Sequence, residues 1–116
     1  MKLPNHEQAV VEEPKIVQYL LDPQHPDGAP KARFFLAMGF TRENWGALAE
    51  ALRRLASDAP VSNQVESRHG RKFVVDGPLD TPSGRVVTVG TVWIINAGEE
   101  VPRLVTAYPR EEGDQT

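Results

Sequence analysis

The chemistry-bearing residues of this chain gather in Leu21-Asp-Pro-Gln-His25-Pro-Asp-Gly28-Ala-Pro-Lys31-Ala-Arg33-Phe-Phe35, a histidine-bearing turn that opens straight into an amphipathic helix. A histidine titrates near neutrality, so His25 can take a proton from a hydroxyl or return one to a leaving group. Lys31 lies on the first turn of the helix that follows, where free N–H groups and the macrodipole already favour negative charge. Lys31 and Arg33 are two residues apart, so on a helix they point about 200° away from each other and cannot face one ligand together. Lys31 is the nearer to the His25 loop, and Arg33 reads as surface. The same residue types also suit a histidine capping a turn and a solvated lysine.

A second group lies near the C-terminus, in Pro102-Arg103-Leu-Val-Thr106-Ala-Tyr108-Pro109. Strand alternation puts Leu104, Thr106 and Tyr108 on one face, bringing a hydroxyl and a phenol together. Thr106 can hydrogen-bond a phosphate oxygen, and Tyr108 can stack on a base or donate from its hydroxyl. A strand of β-formers with an anchoring tyrosine would look the same. Arg85, next to the Thr81-Pro-Ser-Gly84 turn, and Arg103 are candidate anion ligands, although an edge arginine also serves simply to keep a sheet soluble. Of the other histidines, His6 lies near the N-terminus and His69 in a hairpin turn.

Several chemistries find no support. The chain has no cysteine, which removes disulfides, thiolate nucleophiles and Cys-based metal sites. No histidine pair or histidine–carboxylate pair falls at metal-ligand spacing inside a clear helix, so neither a metal nor another cofactor is expected. There is no nucleophile elbow, P-loop or dinucleotide fingerprint.

With 116 residues, 40% of them hydrophobic, the chain is expected to form one domain over residues 1–110, followed by an acidic, disordered tail at 111–116. No signal peptide or membrane-length apolar run is visible, and a cytoplasmic location away from membranes is expected. The net charge of −3 is unevenly spread. Residues 1–24 carry two basic and four acidic residues, and Glu111, Glu112 and Asp114 are acidic, which leaves the body from His25 to Arg110 at +2. That balance permits a local anion site without demanding one.

Three helices should position these groups. Glu12-Glu13-Pro14 starts a short helix through Ile16, Val17, Tyr19, Leu20 and Leu21, which Asp22-Pro23 ends. Pro30 heads a second, closed near Gly39. Thr41 caps a third over about 42–57, with Trp45, Leu48, Ala49 and Leu52 on its apolar face. From Pro60 the period changes to that of strands: Val61–Ser67, Lys72–Leu79, Arg85–Asn96 and Arg103–Tyr108, joined by turns at His69-Gly70, Pro82-Ser-Gly84 and Ala97-Gly98. Ala9-Val-Val11 would add an edge strand. The third strand of the meander is apolar on both faces and should be central, with Gly90 marking a bulge or a close approach. The fold class is α+β, helices packed on a four- to five-stranded antiparallel sheet.

The stretches Lys2-Leu-Pro-Asn5, His25-Pro-Asp-Gly28-Ala-Pro-Lys31-Ala-Arg-Phe-Phe35, Gly39-Phe-Thr41, Trp93-Ile-Ile95 and the Thr106-Ala-Tyr-Pro109 ending resemble a family of small, uncharacterised bacterial domains. In its order of elements the chain also resembles the metal-independent ribonuclease superfamily of barnase, EndoU, the tRNA-cleaving colicins and RelE-type toxins. That resemblance implies cleavage of RNA by attack of its 2′-hydroxyl on its own phosphate, and a neutralising protein partner. It assigns His25 as general base or acid, Lys31 with Arg85 or Arg103 as the electrostatic clamp, and Thr106 and Tyr108 as the substrate-positioning pair. The chain departs from it in lacking a glutamate–histidine pair or paired histidines, and in being acidic. The rival expectation is a non-catalytic protein-binding module, or the partner in a two-gene system.

Overall fold

The computed structural model describes residues 1–110; the acidic tail expected at 111–116 lies outside the described residues. Three helices pack on a four-stranded antiparallel sheet, an α+β fold. Helix α1 (Glu13–Lys15) runs directly into a π-helical turn over Ile16–Leu20, α2 spans Ala29–Ala37 and α3 spans Trp45–Asp58. The strands are β1 (Val61–Ser67), β2 (Gly70–Asp80), β3 (Val86–Asn96) and β4 (Arg103–Pro109), in the order β1-β2-β3-β4. A meander of this kind follows from three short turns between runs rich in β-branched residues.

The core lies between the helices and one face of β2 to β4. Trp93, Phe35, Phe73, Leu48 and Leu52 are fully buried there. Among the described residues Thr91 is the buried polar residue of the core, and it is satisfied twice: its hydroxyl donates to the Val75 carbonyl at 2.8 Å and accepts from Trp93 Nε1 at 2.8 Å. Strand β1 is exposed along nearly its whole length, so the apolar burial that fixes the sheet is concentrated on the β2–β3–β4 side.

Three expectations change. The segment Ala9–Val11 does not form a fifth strand; Val10 makes a single parallel bridge to Arg103 at the β4 edge. Helix α3 begins at Trp45 rather than at residue 42, because the Thr41 hydroxyl caps the amide of Asn44 in a turn ahead of the helix. In β4 the pairing passes from Trp93↔Leu104 to Val92↔Thr106, which makes Val105 the extra residue of a bulge. The bulge breaks the alternation, so Leu104 and Ala107 are both buried while Thr106 and Tyr108 leave the core face. Leu104 therefore does not share their face.

Gly90 marks a close approach, with no bulge at its own pairing. It is paired with Tyr108, and a Cβ placed there would stand 2.6 Å from the tyrosine ring and 2.9 Å from Asp76 Oδ1.

Candidate functional site

The site is built where the start of α2 meets the outer strand β4. Lys31 Nζ donates to the Tyr19 hydroxyl at 2.7 Å and to Thr106 Oγ1 at 3.1 Å, and the two hydroxyls lie 2.9 Å apart. Residues from the π turn, from α2 and from β4 thus close a triangle of one ammonium and two hydroxyls. All three side chains are half-buried, wet enough to be reached and dry enough for charge to matter.

Local sequence explains each position. The π turn, closed by Leu21 N to Ile16 O at 2.8 Å, buries Ile16 and Leu20 and leaves Tyr19 on its outer side. Asp22 accepts the Gln24 amide in a tight turn, and its carbonyl takes the His25 amide, so the chain reverses immediately after Tyr19. His25 then closes the loop, because the Asp27 and Gly28 amides both donate to its Nδ1 at 3.0 Å. The lone pair of Nδ1 is thereby occupied, the ring proton belongs on Nε2, and the loop presents an N–H donor. The His25 ring meets the Tyr19 ring edge-on, with centroids 4.9 Å apart.

Gly28 is required by this packing. A Cβ there would lie 2.7 Å from the Tyr19 ring and 2.9 Å from the Tyr19 carbonyl, so any larger residue would push the loop off the phenol.

Two ammonium groups lie near the Tyr19 side chain, Lys31 Nζ at 5.2 Å and Lys15 Nζ at 5.5 Å from the ring centroid. Burial by itself pushes the phenol pKa up. The hydrogen bonds from Lys31 and Thr106, with the charges of Lys31 and Lys15, outweigh burial and hold it below its ordinary value of 10.0. A tyrosine whose pKa is held down by a hydrogen-bonded lysine is able to exchange a proton with it, and the ammonium can also stabilise an anion beside it.

Residues 2–111 match a family described as a domain of unknown function, DUF6883. The chain belongs to that family. No curated protein matches it in sequence. Among solved structures, it is similar to a chain of the "Contact-dependent growth inhibition toxin - immunity protein complex from Klebsiella pneumoniae 342", with a TM-score of 0.72 over 91% of this chain and 97% of that one. The identity is 15%, so the likeness is one of fold.

Of the six residues singled out in the sequence, this DUF6883 domain brings together His25, Lys31 and Thr106 around Tyr19. Tyr108 covers Gly90 beside Asp76 instead, and among the described residues no hydrogen bond joins it to the triangle. The Arg103 guanidinium is taken by two carboxylates, Glu12 at 3.4 Å and Glu99 at 3.7 Å. Arg85 is exposed on the β2–β3 turn. His6 Nδ1 lies 3.1 Å from the Ser57 hydroxyl, and His69 is exposed in the β1–β2 turn.

Tyr19 is the residue that sequence reasoning missed, because it sits in an apolar run where a tyrosine reads as core. The available signal was position: Tyr19 is the last polar group before Asp22-Pro23, which reverses the chain towards Lys31. Among the described residues no group of three or more His, Asp or Glu side chains could hold a metal ion, and no helix is long and apolar enough to cross a membrane.

Proposed function

We propose that this DUF6883 domain is a toxin-type ribonuclease that cleaves RNA through its 2′-hydroxyl without using a metal. The observation that carries this reading is the Lys31–Tyr19 hydrogen bond of 2.7 Å on an acidified phenol. The reacting form is the one in which Tyr19 is ionised, a form the lysines favour; in it the 2′-hydroxyl proton passes to the Tyr19 oxygen as the 2′-oxygen attacks phosphorus. The 5′-oxygen leaves and takes a proton from the Lys31 ammonium. Transfer of a proton from the Tyr19 hydroxyl back to the Lys31 amine, across the bond they already share, restores the starting pair. Before that transfer Lys31 stabilises the charge growing on the phosphoryl oxygens, and Thr106 fixes the orientation of both partners.

In this scheme His25 keeps the turn closed through Nδ1 and offers Nε2–H to a non-bridging phosphate oxygen. His25 was expected as general base or acid; in this scheme the base role goes to Tyr19, since the ring nitrogen that would accept a proton is already engaged by two amides. Tyr108 and Arg103 stand outside the reacting group. The fold likeness to a chain of a toxin–immunity complex is compatible with the toxin type and, with it, a neutralising protein partner.

The test is incubation of purified protein with total RNA and with tRNA in EDTA, comparing wild type with Lys31→Ala and Tyr19→Phe. Cleavage that leaves cyclic phosphate ends and falls in both variants is expected. Intact RNA from well-folded wild type would overturn the reading.

A second reading is the immunity-type partner, a non-catalytic module that binds a toxin. It is favoured by the net charge of −3 and by the same structural likeness, which covers a complex containing both kinds of chain. Growth on expression separates the two: a ribonuclease arrests the host cell, whereas an immunity-type module is tolerated.

A further inference from the structure

A groove of about 470 Å³ opens further along α2 and β4 from the triangle, between α2, the start of β3 and the end of β4. Phe34, Arg85, Val86, Pro109 and Arg110 are among its walls. Phe34 follows Lys31 by three residues on α2 and shares its side of the helix. On β4, Pro109 follows Thr106 by three residues, a run of about 10 Å at strand rise.

The charge of this groove is distinctive. Among the described residues no acidic side chain lines it, and two arginines do. The grooves along α3 differ: one sets Arg54 among Asp58 and Asp80, and another sets Arg53 and Arg54 among Glu7 and Glu50. Arg110 is tethered on one side, with its guanidinium 3.7 Å from Asp76 and its amide bonded to the Thr88 carbonyl at 2.8 Å. Arg85 follows a rigid turn, whose Thr81 hydroxyl and amide both bond the Arg85 carbonyl, at 2.7 and 3.2 Å. Phe34 is half-buried, steadied by an edge-on contact with Phe35 at 5.2 Å between centroids.

We propose that this groove binds the single-stranded RNA segment flanking the scissile phosphate, with a base on Phe34 and backbone phosphates on Arg85 and Arg110. An aromatic wall and two cations in one groove, further along the elements that hold a lysine, match how single strands are bound without sequence readout. The inference rests on the ribonuclease reading for its choice of ligand, yet it can fail or survive independently.

The experiment has a binding arm and a cleavage arm. In the binding arm a fluorescent RNA nonamer is titrated by anisotropy into the Lys31→Ala protein, with and without Arg85→Gln and Arg110→Gln, over a series of salt concentrations. Losing two phosphate contacts should make the slope of log affinity against log salt shallower by about 1.4, at about 0.7 per contact on a single strand. Phe34→Leu should weaken binding at least about fivefold while leaving that slope in place. An unchanged slope in the double arginine variant, or a nonamer that does not bind, overturns the proposal and leaves the groove to a protein partner.

In the cleavage arm the double arginine variant should lose at least about tenfold more kcat/KM on the nonamer than on a dinucleotide, since the dinucleotide is too short to reach the groove. Equal losses on both substrates also overturn it. A protein that binds the nonamer with the expected slope but cuts neither substrate retains the groove and removes the ribonuclease reading.

Discussion

The two tyrosines of this chain make a comparison between two surroundings of one side-chain type. Both are half-buried and both lie against a glycine whose hydrogen leaves room for the ring. Tyr19 faces two lysines and a hydroxyl, which draw its phenol towards ionisation. Tyr108 lies over Gly90 beside Asp76, whose Oδ1 is buried with no hydrogen-bond partner among the described residues. An ammonium beside a phenol favours the phenolate. Glycine therefore serves packing in both places, and what sets Tyr19 apart is the pair of lysines beside it.

The most severe way to break that contrast is to remove the phenol oxygen or its ammonium. Tyr19→Phe should lower RNA cleavage by about 10²-fold or more, the usual worth of a positioned acid–base group. Lys31→Ala should cost about 10²–10³-fold, as for loss of a charge-stabilising donor, and should return the Tyr19 phenol towards its ordinary range. Initial rates on tRNA check both. Gly28→Ala moves the ring without removing any reacting atom, so activity should fall by about tenfold while the thermal midpoint drops by only a few degrees, a misplacement effect. Gly90→Ala is the matching change on the other side. It should cost about 1–3 kcal/mol in denaturant unfolding from overpacking against Tyr108, with specific activity of the folded fraction retained.

The gentlest probe is spectroscopic. Tyr19 and Tyr108 are the only tyrosines, so Tyr108→Phe leaves Tyr19 as the one phenol, and its ultraviolet titration should centre below 10.0. Stability follows with a definite sign. A phenol whose folded pKa is depressed stabilises the fold fully above the unfolded value and loses that contribution as pH falls through the folded value. The stability gap between wild type and Tyr19→Phe should therefore widen as pH rises through the alkaline range towards 10. A gap that narrows over that range would mean that the lysines do not govern this phenol.

Much of the fold was legible because it rests on local pattern. The change from helical to strand periodicity at Pro60, the Gly-containing turns and the apolar run of β3 specify a meander with a central third strand. The Val105 bulge was not legible, since nothing in Leu-Val-Thr distinguishes an extra residue from a paired one; the register is set by Trp93 and Thr91 seeking the core across the sheet. The start of α3 was misplaced for a similar reason, since a threonine hydroxyl can cap a turn as readily as a helix.

The candidate site divides along the same line. By its own order of residues the sequence determined a histidine turn, a lysine at the head of a helix and a threonine on the last strand, because turns, helix starts and strands are written in neighbouring residues. Only the tertiary structure decided that Tyr19 stands between Lys31 and Thr106, which are 12 and 87 residues away from it. It also decided that His25 spends Nδ1 on its own backbone, and that Arg103 is taken up by Glu12 and Glu99. Partners so distant along the chain meet only through burial of the faces that carry them, and burial is a property of the packed whole.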